Sequence, residues 1–226
     1  QALLKTVWWV RMANGIKHGL DWRSAREPLA TLFYDVRHRV EFWQPAVTRQ
    51  RLLAASAFGY SVQGDPDFGL QGFDLQAQET RGQALPYAMI MPSASRDDKL
   101  WPVPDWHAVF DVLSKRGLRL KLLAGNQAET ERAHALIEGR SNAEVLPRGT
   151  LTETAQHLAG ATVMVGLDSG LTHLSAALGR PTIGIYKAST PVRTPLVSTA
   201  YTASLGDRGQ PPSRQVVLAA IEQALR

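Results

Sequence analysis

Asp168, Ser169 and Gly170 stand between an apolar run, residues 163–167, and a segment of helical character that carries His173. A polar turn at a strand-to-helix junction gathers unpaired backbone N–H groups and the positive end of a helix dipole, which suits phosphate. Two further apolar runs end in the same manner. Residues 87–91 lead into a polar loop, 92–99, with Ser93, Ser95 and Lys99; residues 118–124 lead into a loop with Asn126 and Glu129. In an open α/β sheet, ligands bind beyond the carboxyl ends of the strands, so the three loops belong at one edge. Together they meet the needs of a nucleotide diphosphate. Hydroxyls and a lysine face the phosphates, a carboxylate accepts from both ribose hydroxyls, and a helix start faces the anion.

Taken singly, each residue also has a plainer role. Lys99 suits any surface, Glu129 suits the first turn of its helix through the dipole, Asp168 suits an N-cap, and His173 suits a structural hydrogen bond one turn into its helix. An N-capping Asp168 would oppose a phosphate at the same spot. Its expected ligand contacts are therefore sugar hydroxyls, with the amides of Ser169 and Gly170 left for phosphate.

These loops need a scaffold. From residue 85 onward, apolar runs alternate with helical segments: strands at 87–91, 118–124 and 144–146, helices at 104–116, 128–138 and 152–158, and a stretch 163–186 that reads as a buried strand, a polar turn, a short helix and a second buried strand. That alternation predicts a parallel sheet with right-handed crossovers. Thr150 is placed to cap the third helix, and residues 211–226 read as a closing amphipathic helix. Residues 1–60 read as helical and loop-rich, with Asp21 capping a helix over 22–26 and a second helix over 45–58 ended by Gly59. Between them, Gly64, Pro66, Gly69, Gly72, Gly82 and Pro86 mark a connector with a short strand near 73–75.

The chain has 226 residues, and its lack of cysteine excludes disulfides, thiolate zinc sites and Cys nucleophiles. No apolar run approaches the roughly 20 residues that span a bilayer. Gln1 is not an initiator and no signal-peptide pattern follows it, so the chain reads as if cut from something longer. The net charge of +5 favours anionic partners. Much of it sits early, on Lys5, Arg11, Lys17, Arg23, Arg26, Arg37, Arg39, Arg49 and Arg51, which reads either as solvated faces or as a cradle for a polyanionic acceptor. Nucleic acid is not expected as a partner: no recognised module is present, and the aromatics are dispersed rather than interleaved with the basic residues. Asp65-Pro-Asp67 imitates a metal-binding Asp-x-Asp but lies in the connector without a partner carboxylate. Neither a Gly-x-Gly-x-x-Gly nor a Walker motif occurs.

Three stretches carry a resemblance: Lys17-His-Gly-Leu-Asp-Trp22 with Ala25-Arg-Glu-Pro-Leu-Ala30; Ser95-Arg-Asp-Asp-Lys-Leu-Trp-Pro102; and Asp168-Ser-Gly-Leu-Thr-His-Leu-Ser-Ala-Ala-Leu178. They resemble the bacterial ADP-heptose:lipopolysaccharide heptosyltransferases, and within them the branch that adds the first heptose to the Kdo of Kdo–lipid A. The resemblance covers nearly the whole chain. It implies a GT-B type α/β fold: an incomplete N-terminal Rossmann-like domain with its connector (1–80), a C-terminal Rossmann-like nucleotide-sugar domain (81–209), and a terminal helix (210–226) packing back on the N-terminal domain.

The resemblance also implies roles. Ser95 and Lys99 contact the donor diphosphate, and Glu129 the ribose; Gly149 flanks the adenine; Asp168, Ser169, Gly170 and His173 line the heptose and phosphate site. Lys17 and Arg26 face the anionic acceptor. The reaction implied is inverting transfer of L-glycero-D-manno-heptose from ADP-heptose to Kdo–lipid A, without cofactor or metal, with Lys99 stabilising the leaving group and the catalytic base outside this chain. Another sugar-nucleotide enzyme, or an ADP-sugar-binding fragment without activity, remains open. The implied location is cytoplasmic, peripheral on the inner membrane, where Trp8, Trp9, Trp22 and Trp43 suit an interface as well as they suit a core. Two positions depart from the family pattern: Ala94 stands where a hydroxyl residue is common, and Tyr186-Lys187 replaces a usual Tyr-Gly.

Overall fold

A computed structural model describes residues 2–70, 72, 85–94 and 96–226. Ser95 and the strand expected near 73–75 lie outside the described residues. The chain divides into two compact units, 1–65 with Val192–Thr194, and 66–191 with 195–226. The division falls before the 80/81 boundary expected from sequence.

The second unit is built on a six-stranded, wholly parallel sheet. In chain order its strands are β3 (Tyr87–Met91), β4 (Arg119–Leu122), β5 (Ala143–Val145), β6 (Val163–Leu167), β7 (Thr182–Tyr186) and β8 (Thr202–Gly206). In space they run β5-β4-β3-β6-β7-β8, so the winding reverses between β3 and β6. Helices α3 (Val103–Lys115), α4 (Gln127–Ile137), α5 (Leu151–Gly160), α6 (Gly170–Ala177) and α7 (Arg214–Ala224) cover it. The side-chain alternation of β3 separates the two faces. Ala88 and Ile90 join Trp106, Phe110, Leu113, Leu136, Val217 and Ile221 in one core; Tyr87, Met89 and Met91 join Ala155, Leu158, Ala159 and Leu178 in the other. Strands β3, β6 and β7 are buried at every position, which is why they read as continuous apolar runs rather than alternating ones.

Val217, Ala220 and Ile221 of α7 enter the core of this sheet. Its apolar stripe is spent on its own unit. The strand β8 was not anticipated, because all five of its residues are only partly buried and its sequence shows no apolar run.

The first unit holds α1 (Leu4–Met12), β1 (His18–Leu20), a 3₁₀ helix (Pro28–Phe33), β2 (Val36–His38) and α2 (Ala46–Phe58). β1 and β2 pair in parallel, His18 opposite Val36 and Leu20 opposite His38. Three-residue strands are too short to leave a period in the sequence, which is why this unit read as helix and loop. Asp21 caps a single turn: its Oδ1 accepts from the Ser24 N–H at 2.8 Å, and the backbone turns again at Pro28 before a helix can grow. α2 ends as expected, on Gly59 at φ 72°, the left-handed conformation that glycine adopts without strain. Leu20, Ala25, Ala30 and Val40 form the core, and the Arg193 guanidinium lies over the Phe42 ring at 4.2 Å.

Candidate functional site

The strand order places a crevice between β3 and β6, at the carboxyl ends where crossovers diverge to opposite faces. Lys99 arrives from the exit loop of β3, at the end of a short 3₁₀ turn (Asp97–Lys99). Asp168 arrives from the exit of β6. They meet: Lys99 Nζ lies 3.1 Å from the Asp168 carbonyl and 3.3 Å from its Oδ2. His173 Nε2 lies 3.3 Å from the other oxygen, Oδ1, and Ser189 Oγ, from the exit loop of β7, donates to Oδ2. One carboxylate thereby gathers side chains from two loops and a helix.

The Asp168 side chain is 16% exposed. Burial by itself would raise its pKa, but hydrogen bonds from His173 and Ser189 and the charge of Lys99 outweigh burial and hold it down at about 2. Beneath the cluster, burial pushes the Tyr186 phenol up, and the charge of Asp168 pushes it the same way, so it stays protonated.

Asp168 is not the N-cap of α6. That role falls to Ser169, whose Oγ accepts from the Thr172 N–H at 3.4 Å and lies 3.1 Å from Thr172 Oγ1. Asp168 is one residue too early and turns toward Lys99 instead. Gly170 opens the helix beside free space: a Cβ there would meet nothing within 4 Å. Gly166 is the opposite case. A Cβ on it would lie 2.6 Å from Thr172 Oγ1 and 2.9 Å from Met91 Cβ, so its bareness lets α6 settle onto the sheet. Thr172 Oγ1 completes that seat by donating to the Leu167 carbonyl at 2.7 Å.

Glu129 and Gly149 reach the same edge of the sheet, from the exits of β4 and β5, but serve their own loops. Glu129 is 8% exposed; it accepts from the Gly125 N–H at 2.8 Å and the Asn126 amide at 3.0 Å, while its own N–H donates to Asn126 Oδ1 at 2.9 Å. This reciprocal pairing closes the N-terminus of α4. Gly149 is exposed beside the capping box of Thr150 and Glu153 that starts α5. Ser93 Oγ is fully buried at the end of β3, with no hydrogen-bond partner among the described residues.

Lys17 and Arg26 belong to the first unit. Lys17 is engaged locally, its N–H donating to Asp35 Oδ2 at 2.8 Å and its Nζ 3.6 Å from the same atom; Arg26 is exposed. Asp67 of the Asp-Pro-Asp motif accepts from the Gly69 N–H at 2.8 Å, a local turn bond. Among the described residues, no group of three His, Cys, Asp or Glu side chains could hold a metal, and no helix is long and apolar enough to cross a membrane. Sequence reasoning missed Ser189. Its signal was available: β7 is a buried parallel strand, so its exit loop had to reach the same edge as the other three.

Against known proteins, the model of glycosyltransferase family 9 (heptosyltransferase) matches residues 1–219. Lipopolysaccharide heptosyltransferase 1 of Salmonella typhimurium is 43% identical over 193 residues, 84% of this chain and 60% of that protein. The chain thus spans about 60% of the length of this curated relative. A solved structure of the Escherichia coli heptosyltransferase WaaC with ADP superposes with a TM-score of 0.84 at 37% identity, covering 99% of this chain and 71% of that one. The same enzyme with ADP-2-deoxy-2-fluoro heptose gives 0.79 at 36%, covering 99% and 69%. These matches carry the α/β, GT-B type fold class expected from the sequence. A family match along nearly all its length, with a doubly wound sheet that brings the lysine and aspartate motifs together, means that the chain belongs to glycosyltransferase family 9, the heptosyltransferases.

Proposed function

We propose that the protein transfers L-glycero-D-manno-heptose from ADP-heptose to the Kdo of Kdo–lipid A, with inversion and without a metal ion. The observation that carries this reading is the meeting of Lys99 and Asp168 across the switch point, beside the N-terminus of α6. The relatives solved with ADP and with ADP-2-deoxy-2-fluoro heptose support it.

In this reading the donor diphosphate lies against Lys99 and the amides of Ser169 and Gly170. Ser95 adds a hydroxyl, Glu129 accepts from the ribose, and Gly149 flanks the adenine. Asp168 accepts from the sugar hydroxyls while holding Lys99 and His173 in place. An acceptor hydroxyl oxygen forms a bond to the anomeric carbon from the face opposite the phosphate, and its proton passes to the general base expected outside this chain. The bond to the phosphate oxygen breaks, and ADP leaves with the electron pair. Lys99 and the helix start meet the charge that develops on ADP, which is the work a metal would otherwise do. A carboxylate held at about 2 is a poor proton acceptor at neutral pH, so Asp168 is not assigned as the general base. Lys17 and Arg26 are assigned to the anionic acceptor, and the protein to the cytoplasmic face of the inner membrane as a peripheral enzyme.

Calorimetry with ADP and ADP-heptose tests the donor assignment. One-to-one binding that weakens in Lys99→Ala is expected; no binding of either nucleotide overturns it. Turnover of Kdo–lipid A in preference to heptosylated core supports the acceptor, and co-sedimentation with anionic liposomes the membrane seat. A second reading is donor binding without transfer. Bound ADP-heptose with no product in the same assay would select it.

A further inference from the structure

A second feature lies beside the Lys99–Asp168 cluster. A cavity of about 500 Å³ is lined by Arg96, Asp98, Lys187, Arg208, Gly209 and Pro211. It is large enough for a sugar-sized ligand. Three cationic side chains face one carboxylate, so its charge is positive in excess. Arg96 pairs with Asp98. Arg208 has no carboxylate partner for its guanidinium among the described residues; its backbone N–H donates to Asp207 Oδ1. The Lys99–Asp168 cluster, by contrast, cancels its own charge. The cavity lining therefore carries a formal excess of positive charge that the Lys99–Asp168 pair lacks.

The walls are held in place. The turn carrying Arg208 is closed by two hydrogen bonds of 2.9 Å between Asp207 and Gln210, and the Gly209 N–H donates to the Lys187 carbonyl at 2.8 Å. Gly206, just before it, is at φ 92°, and a Cβ there would lie 2.2 Å from the Tyr186 carbonyl, so only glycine lets β8 close this tightly on the exit of β7. Lys187 is tied across the cavity by its Nζ, which donates to the Leu100 carbonyl at 2.8 Å. The cavity and the cluster share these loops. Leu100 follows Lys99, and Ser189, which holds Asp168, lies two residues beyond Lys187.

We infer that this cavity is an oxyanion subsite, taking a phosphate or carboxylate group next to the Lys99–Asp168 cluster. Arg208 and Arg96 offer planar, multidentate donors to such a group, and Lys187 offers a fixed point charge. Two sources carry that chemistry, the diphosphate of a nucleotide donor and an anionic group of an acceptor. The subsite itself does not rest on which of them the protein uses.

The test is a titration of the whole chain with inorganic phosphate at constant ionic strength, followed by the amide NMR shifts of Ala188 and Gly209. Saturable shifts are expected. Arg208→Glu, at an exposed turn, raises the phosphate Kd at least tenfold with an unchanged melting temperature. Arg119→Glu, at the opposite edge of the same sheet, leaves it unchanged. Absence of saturable shifts in the unaltered protein, or an equal loss in both variants, overturns the subsite. Repeating the titration with saturating ADP separates the sources, and both results support an oxyanion site. Unchanged phosphate binding assigns it to an acceptor's anion, and competitive loss to the donor's diphosphate. Failure of ADP itself to bind counts against the donor reading alone, since the phosphate titration stands without it.

Discussion

Two carboxylates, buried Glu129 and half-buried Asp168, stand at the same sheet edge, and they do different work. Glu129 bonds to Gly125 and Asn126, within four residues of itself. Asp168 bonds to Lys99, 69 residues earlier, and to Ser189, 21 residues later. The first is a local closure of a helix start, and it would exist in any chain that folded that loop. The second is a tertiary node, which exists only after four crossovers have put β3, β6 and β7 side by side. A carboxylate satisfied by its own loop orders that loop; one satisfied by a distant cation orders a site.

The largest expected effect tests the node directly. Lys99→Ala should lower the proposed heptose transfer by about 10²–10³-fold, the scale of removing one preorganised charge donor from a transition state. A steady-state assay in which kcat/KM stays within a few-fold would remove Lys99 from the chemistry and reduce the node to structure. The same substitution should weaken ADP binding in calorimetry.

Asp168→Asn comes next. A folded-state carboxyl held at about 2, against 3.8 for the free group, contributes roughly 2 kcal/mol at neutral pH. Because the folded pKa is depressed, this stability is present above pH 4 and is lost as the pH falls toward 2. Urea unfolding should therefore show the variant weaker at pH 7 and equal to the unaltered protein near pH 2. A variant gap that persists unchanged at pH 2 would mean that packing, not charge, holds the node.

Gly166→Ala probes the seat of α6 rather than its charges. A new methyl 2.6 Å from Thr172 Oγ1 must displace the helix or Met91, at a cost of about 1–3 kcal/mol. Thermal unfolding measures it, and a neutral result would mean that α6 has slack. The smallest effect belongs to the local carboxylate. Glu129→Gln should cost about 1 kcal/mol, by weakening the bond to the Gly125 N–H. A loss at pH 7 as large as that of Asp168→Asn would collapse the distinction between local closure and tertiary node.

Much of this site was legible in the chain because its signals are local. Apolar runs bounded by polar turns announce buried parallel strands, and Asn126, Thr150 and Gly59 sit where caps and stops are needed, so most of the second unit's elements could be placed within a few residues. The motifs around Lys99 and Asp168 pointed to one sheet edge for the same reason. Other features had no local signature. β1 and β2 are three residues long, β8 is only partly buried, and α7 could have buried its apolar stripe on either unit.

The sequence by itself determined which residues end each strand and which chemistry they carry, since periodicity and capping are properties of a few adjacent residues. Only the tertiary structure decided that Asp168 turns to Lys99 instead of capping α6, that Ser189 joins them, and that Arg96, Lys187 and Arg208 share one cavity. Those partners are far apart along the chain. Contact between them depends on the order in which the strands lie in the sheet, and no short stretch of residues encodes that order.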